Sequence, residues 1–339
     1  MALAVRAPGL VVSGAAPRAV GVRAPYAAMP DRVRAWVDEA LGSPVVSWTD
    51  QVGGMSPGCA TRVTCADGTR AFVKAVGLEL NPDTPAMFRR EVLALTLLGR
   101  HPLWASLLAS YDDGDWVALL VEDVEGTHPD LHDDATMARL LEAADELGRV
   151  MTERVPAAPA PDPDSGGLND LRAFFGRWAG ALGHVADIPA ELLPRWVAED
   201  AAAWQARVRA LIDHPAGSLV HWDIRNDNLL QRPSGELVFV DWGQCGVGPD
   251  WLDPLLARLA RVDSPWFDAS LATSPALVRA GDEAVTAWLV GLGTMLAGRT
   301  MTAVDVNLPT LVEFRRRESA RFLAAAARRL DLGGSAARC

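Results

Sequence analysis

His221, Asp223 and Asn228 fall in the spacing H-x-D-x-x-x-x-N, and Asp241 follows thirteen residues later inside Val240-Asp241-Trp242-Gly243. A carboxylate on a loop can orient an attacking hydroxyl. An amide oxygen and a second carboxylate are hard donors of the kind that hold Mg2+ against nucleotide phosphates. The pattern therefore suggests phosphoryl transfer, with Asp223 in the first role and Asn228 and Asp241 in the second. Arg232-Pro233-Ser234-Gly235 reads as the turn of a short hairpin that brings both candidate ligands to one edge.

Lys74 is the only lysine, against 31 arginines. A compact ammonium can sit between phosphate oxygens and a carboxylate in a narrow cleft, where the wide arginine fork fits poorly. Its neighbours Ala71-Phe72-Val73 and Ala75-Val76 read as a buried strand. A lysine left behind by arginine-rich composition is the plain alternative. A buried ammonium needs a counter-charge; Glu91 and Glu79 are the candidates.

The elements that must position these groups divide the 339 residues into two lobes. After a short helix over 30–41, apolar runs near 45–52, 61–65, 69–76, 107–111 and 116–121 predict a five-stranded antiparallel sheet, with one helix around 87–95 inserted. Asp67-Gly68 is a hairpin signal. The following sequence predicts helices over 133–154, 167–183, 188–213, 250–261, 274–298 and 309–330. The reading is an α+β fold: a nucleotide-binding lobe over 29–124, a mostly helical lobe over 125–332, and a flexible tail over 333–339. Residues 1–28 are expected to be disordered or to precede the true start, because Met29 opens the first patterned helix.

Net charge is −11 and the arginines are scattered except in the C-terminal helix, which argues against nucleic-acid binding. No apolar run is long enough to span a membrane. Cys59, Cys65, Cys245 and Cys339 lack metal spacing and read as reduced cytoplasmic thiols. Oligomeric state, monomer or dimer, is not readable.

With these motifs the chain, over about 30–330, resembles the aminoglycoside phosphotransferase family, small-molecule kinases with a protein-kinase-like fold. The resemblance implies ATP and Mg2+ as cofactors and a small hydroxyl-bearing acceptor. An aminoglycoside-like or amine-bearing molecule is suggested by the acidic lobe; a metabolic acceptor of the choline, homoserine or sugar type is the alternative, and a nucleotide-binding pseudokinase the remoter one. It implies that Asp223 is the catalytic base, that Asn228 and Asp241 bind magnesium, that Lys74 touches the α- and β-phosphates, and that Glu91 pairs with Lys74. Gly53-Gly54-Met55-Ser56-Pro57-Gly58 takes the place of the phosphate-covering loop; Ser56 either donates to phosphate or belongs to an ordinary turn. Glu122-Asp123-Val124 is expected to offer backbone groups to adenine, its side chains facing solvent or substrate. Arg225 matches a cation held against the γ-phosphate, with a structural pair to Asp227 as the alternative. His221 reads as a brace for its loop, Asp250 as a helix N-cap and Asp253 as a structural residue. Of Trp222, Trp242, Trp251 and Trp266, about one is expected to touch substrate. The tail lacks the acidic or aromatic end that some aminoglycoside kinases use.

Overall fold

The computed structural model describes residues 23–52, 54, 56–301 and 308–336. The N-terminal lobe carries helix α1 (Asp31–Leu41), strands β1 (Val45–Asp50), β2 (Cys59–Cys65) and β3 (Arg70–Gly77), helix α2 (Thr84–Leu98), and strands β4 (Leu107–Asp112) and β5 (Trp116–Val121). The five strands form one antiparallel sheet in the order β1-β2-β3-β5-β4. In β3 and β5 the period of two sorts side chains to two cores. Ala71, Val73, Ala75, Ala118 and Leu120 face α1, with Val33 and Val37. Val76, Val117, Leu119 and Val121 face α2 and the second lobe. Lys74, in register between Ala60 and Leu119, shares that inner face.

The C-terminal lobe comprises α3 (Asp134–Arg154), β6 (Asn169–Asp170), α4 (Leu171–Leu182), α5 (Arg195–Glu199), α6 (Ala201–Ala210), β7 (Ser218–Val220), β8 (Leu229–Gln231), β9 (Leu237–Phe239), β10 (Gly246–Gly248), α7 (Leu252–Leu256), α8 (Pro265–Leu271), α9 (Pro275–Ala280), α10 (Asp282–Arg299) and α11 (Leu311–Ala336). Helix α10 is buried nearly all round, with Trp288 fully enclosed, and packs against α4, α6 and α11.

Several expected boundaries are corrected. The helix over 188–213 is two helices, α5 and α6, preceded by an irregular stretch containing Pro189 and Pro194. The helix over 274–298 breaks at Gly281, whose φ of 86° lies in the left-handed region. The helix over 250–261 reduces to α7 plus a 3-10 turn at Leu259–Arg261. Helix α8 and the small sheet β6-β10-β7 had no sequence signal strong enough to assign. Helix α11 continues to Ala336, into the stretch expected to be a flexible tail. Residues 1–22 lie outside the described residues. Residues 23–28, expected to be disordered with them, belong to the N-terminal lobe: Tyr26 is buried against Trp48 in the core beneath α1.

Candidate active site

The segment Val220–Leu230 leaves β7, makes one 3-10 turn at Asn226–Asn228 and enters β8. Two non-glycine residues near it hold left-handed backbone, Trp222 (φ 70°) and Asp241 (φ 66°). Such strain persists only where surrounding bonds over-determine the conformation, and it clusters at functional sites. The restraints are visible here. Asp253, 3% exposed, accepts from the backbone N–H groups of His221 (2.8 Å) and Trp222 (3.1 Å). His221 Nδ1 accepts from the N–H of Asp223 (3.2 Å), so Nε2 carries the proton and donates to the Val240 carbonyl (3.0 Å). Burial holds the imidazole below its ordinary pKa, and it stays neutral. These bonds tie the Asp223 loop to the strand end that presents Asp241.

Two cavities of about 320 Å3 each meet at this segment. The first is lined by Lys74, Glu91, Glu122, Val124, Asn228 and Asp241 among others. The second is lined by Asp223, Arg225 and the aromatic residues of α4, α10 and α11. Asp227 lines both.

In the first cavity Lys74 Nζ bonds to Glu91 Oε2 and lies 3.0 Å from Asp241 Oδ1. Glu79, the other candidate partner, instead accepts from Trp116 Nε1 (2.8 Å). Burial alone would raise the Asp241 carboxyl, but the Lys74 ammonium outweighs it and holds the group down at about 2. Burial would likewise lower the Lys74 ammonium, but Asp241 and Glu91 reverse that and raise it; burial raises the Glu91 carboxyl, with the Lys74 charge opposing the rise.

Asn228 Nδ2 donates to the Asp223 carbonyl (2.9 Å) and to Asp223 Oδ2 (2.8 Å). Its amide oxygen has no hydrogen bond among the described residues. Burial pushes the Asp223 carboxyl up to about 6, with Asp241 and Asp227 adding to the rise and Arg225 opposing it. Arg225 Nε is 3.3 Å from Asp223 and 3.2 Å from Asp227, so the pair to Asp227 is formed and extends to Asp223.

Other expected contacts fall out differently. Ser56 does not line the first cavity: its hydroxyl accepts from the Gly58 N–H (3.2 Å), closing a turn. Gly53 and Met55 lie outside the described residues. At the linker, Asp123 does not face solvent or substrate, whereas Val124 lines the first cavity. Asp123 is turned inward between Arg62 (3.0 Å) and Arg70 (2.6 Å), and Val124 is buried with its carbonyl accepting from Arg62 (3.1 Å). The Glu122 carbonyl and the Val124 N–H have no backbone partner among the described residues. Asp250 caps no helix; it pairs with Arg279 (2.7 Å). Trp222 lines the second cavity and Trp242 the first, while Trp251 is core and Trp266 lies beneath Arg261.

A model of the phosphotransferase enzyme family matches residues 63–274, from within β2 to the turn between α8 and α9. The chain belongs to this family. The fold is two-lobed and protein-kinase-like, and solved structures agree across most of the chain. A choline kinase from Streptococcus pneumoniae has a TM-score of 0.57 at 14% identity, covering 87% of this chain and 98% of its own. The macrolide 2′-phosphotransferase of Brachybacterium faecium gives 0.52 at 15%, covering 86% and 97%. The GDP and kanamycin complex of APH(2")-IIia gives 0.52 at 13%, covering 85% and 98%. At such identities the likeness shows fold alone. No curated protein matches the chain in sequence. Among the described residues, no helix is long and apolar enough to cross a membrane.

Sequence reasoning missed three elements of this phosphotransferase's site. Arg90, 5% exposed on α2, donates to the carbonyls of Gly243 (2.8 Å), Gly167 (2.7 Å) and Pro163 (2.9 Å). It thereby ties the helix carrying Glu91 to the loop after Asp241. Trp178 and Trp288, distant in sequence, form the wall of the second cavity with Trp222, the ring centroids 6.0 and 6.3 Å from it. Arg23 reaches the first cavity from a segment expected to be disordered.

Proposed function

We propose that this phosphotransferase moves the γ-phosphoryl group of ATP, with Mg2+, to a hydroxyl of a small molecule seated in the second cavity. The observation that carries the reading is the division of one short segment between two cavities: Asp223 faces one, Asn228 the other, and Asp227 stands between. Asn228 and Asp241 fit a magnesium ion. Both offer hard oxygens, and the Asp241 side chain stays 46% exposed in the cavity despite its strained backbone. Among the described residues no cluster of three or more His, Cys, Asp or Glu could hold a metal, which suits an ion that takes the rest of its shell from phosphate oxygens and water.

When bound, magnesium would screen the charge between the phosphates. Lys74, held by Glu91, would position the α- and β-phosphates, and Glu122 and Val124 would offer the Glu122 carbonyl and the Val124 N–H to the base. Asp223 would accept a hydrogen bond from the acceptor hydroxyl, orient it for in-line attack and take its proton. Arg225 would steady the Asp223 carboxylate rather than bind phosphate. An ATP-dependent reaction and the buried free thiols of Cys59, Cys65 and Cys245 fit a cytoplasmic setting.

The acceptor cavity does not repeat the acidity of the chain. Trp178, Trp222, Trp288, Leu292, Leu296 and Phe314 are among its walls, and Arg177 and Arg299 stand at its exposed rim. Asp223 and Asp227 share Arg225, and Glu318 is paired with Arg321 (2.9 Å). A polycation entering here would lose water and find one wall carboxylate, Asp130, without an arginine partner among the described residues. The wall favours an alcohol on a largely apolar body, in place of the cationic acceptor that net charge suggested. Acceptor-dependent ADP release from Mg-ATP tests this with macrolides, kanamycin and choline side by side. Turnover with the apolar-bodied alcohols and not with kanamycin is expected; the reverse preference would refute the acceptor class. ATP binding without ADP release for any acceptor would favour the pseudokinase.

Acidification gives an independent check. Asp223 must be ionised to accept a proton, and its carboxyl sits near 6. The free-enzyme limb of kcat/KM should therefore fall about tenfold per pH unit below about 6. Arg225→Gln, which removes the charge opposing that rise, should move the limb to higher pH. A limb that stays in place in Arg225→Gln contradicts the assignment.

A further inference from the structure

The segment before α1 is built onto the loop that covers the first cavity. Ala24 N–H donates to the Pro57 carbonyl (2.9 Å) and Tyr26 N–H to Asp50 Oδ1 (2.9 Å), fastening the segment to both ends of the loop. Tyr26, 3% exposed, anchors it in the core. Arg23 then projects under the loop, with Nη1 3.4 Å from the Gly58 carbonyl. Its guanidinium lies against the backbone of Gly54: a Cβ at Gly54 would sit 2.1 Å from Arg23 Nη2, and φ there is +80°. The left-handed backbone favours glycine there, and a larger residue would push the arginine tip aside.

The charge at this end of the cavity gives the arginine a purpose. Lys74 is shared by two carboxylates, Glu91 and Asp241. Arg62, the other arginine of the lining, is committed to Asp123 and to the Val124 carbonyl at the linker end. Lys74 and a magnesium ion at Asn228 and Asp241 would have to balance Glu91, Asp241 and the roughly four charges of a triphosphate, so a further cation facing the phosphates would add to binding. Arg23 lines the same cavity as Asp241 and Glu91; burial lowers its guanidinium pKa, and the charges of Asp241 and Glu91 oppose that fall. Its planar fork suits two phosphate oxygens.

We propose that Arg23, carried on the strap that clamps the phosphate-covering loop, is a second nucleotide-binding cation and contacts the phosphates of the bound nucleoside triphosphate. The inference rests on the nucleotide reading of the first cavity, and the test separates the two. Calorimetric affinities for Mg-ATP and for adenosine would be measured on the full chain, on Arg23→Gln and on Arg23→Lys. Arg23→Gln should bind Mg-ATP about 10- to 100-fold more weakly, as expected for loss of a charge-assisted contact, with adenosine affinity unchanged. Arg23→Lys should recover part of the loss. Equal weakening of Mg-ATP and adenosine would make Arg23 a brace for the loop only, and overturn the proposal. Unchanged Mg-ATP affinity would overturn it, as would tighter binding, which would mean the arginine occupies the phosphate position and competes. Wild-type protein that binds neither ligand would refute the nucleotide reading itself.

Discussion

Asp223→Asn lowers kcat by about 10² to 10⁴-fold while affinity for Mg-ATP is nearly unchanged; this is the expected result of removing a proton acceptor and keeping its shape. The amide preserves an oxygen for the bond from Asn228 Nδ2, which reaches Asp223 Oδ2 at 2.8 Å. Asp223 does not line the nucleotide cavity, so its neutralisation leaves the contacts of Lys74, Asn228 and Asp241 in place. The charge facing Arg225 is halved, but Asp227 remains 3.2 Å away to hold that arginine. Steady-state kinetics together with nucleotide titration distinguishes this from a general loss of structure. Turnover that survives the substitution would remove Asp223 from its role.

Lys74→Met should abolish turnover and destabilise the fold by about 3–5 kcal/mol, the usual effect of stripping one partner from a buried pair. Glu91 is 3% exposed and would be left without its cation, alongside Asp241. Thermal unfolding measures the stability part. The double variant Lys74→Met/Glu91→Leu should regain much of the stability, since both buried charges are gone, and none of the turnover. Recovery of turnover would show that the pair is structural alone. Lys74→Arg asks the narrower question. The ammonium bonds to Glu91 and Asp241 with the Phe88 ring 5.3 Å away, and a planar guanidinium would have to repeat both bonds with a different geometry. Near-normal kinetics in that variant would mean the lone lysine is an accident of composition.

The sheet and the core of the site were legible because their signals are local. Each strand of the N-terminal lobe carries its own apolar run, and Asp67-Gly68 marks the β2–β3 turn, where Gly68 has φ 88°. His221, Asp223, Asn228 and Asp241 lie within one strand-turn-strand, so their spacing predicts their convergence. Glu91 could be preferred to Glu79 because it lies seventeen residues beyond Lys74 inside a helix, while Glu79 is only five residues on, in the turn after the strand. What stayed hidden depends on distant partners. An arginine at position 90 looks like a solvent-facing helix residue until the carbonyls of residues 163, 167 and 243 surround it. The aromatic wall draws on α4, the Asp223 loop and α10, and no spacing joins Trp178, Trp222 and Trp288. Net charge does not report the local balance at the second cavity, where Asp223, Asp227 and Glu318 are paired with arginines. Composition misled about residues 23–28 because an alanine- and proline-rich segment can still dock through one tyrosine.

The most direct test of the central claim follows the label from γ-³²P-ATP in the presence of Mg2+ and an alcohol that supports ADP release. Transfer of label to the acceptor, dependent on Mg2+ and lost in Asp223→Asn, is the predicted result. Label appearing only as inorganic phosphate, or transfer undiminished in Asp223→Asn, would contradict it.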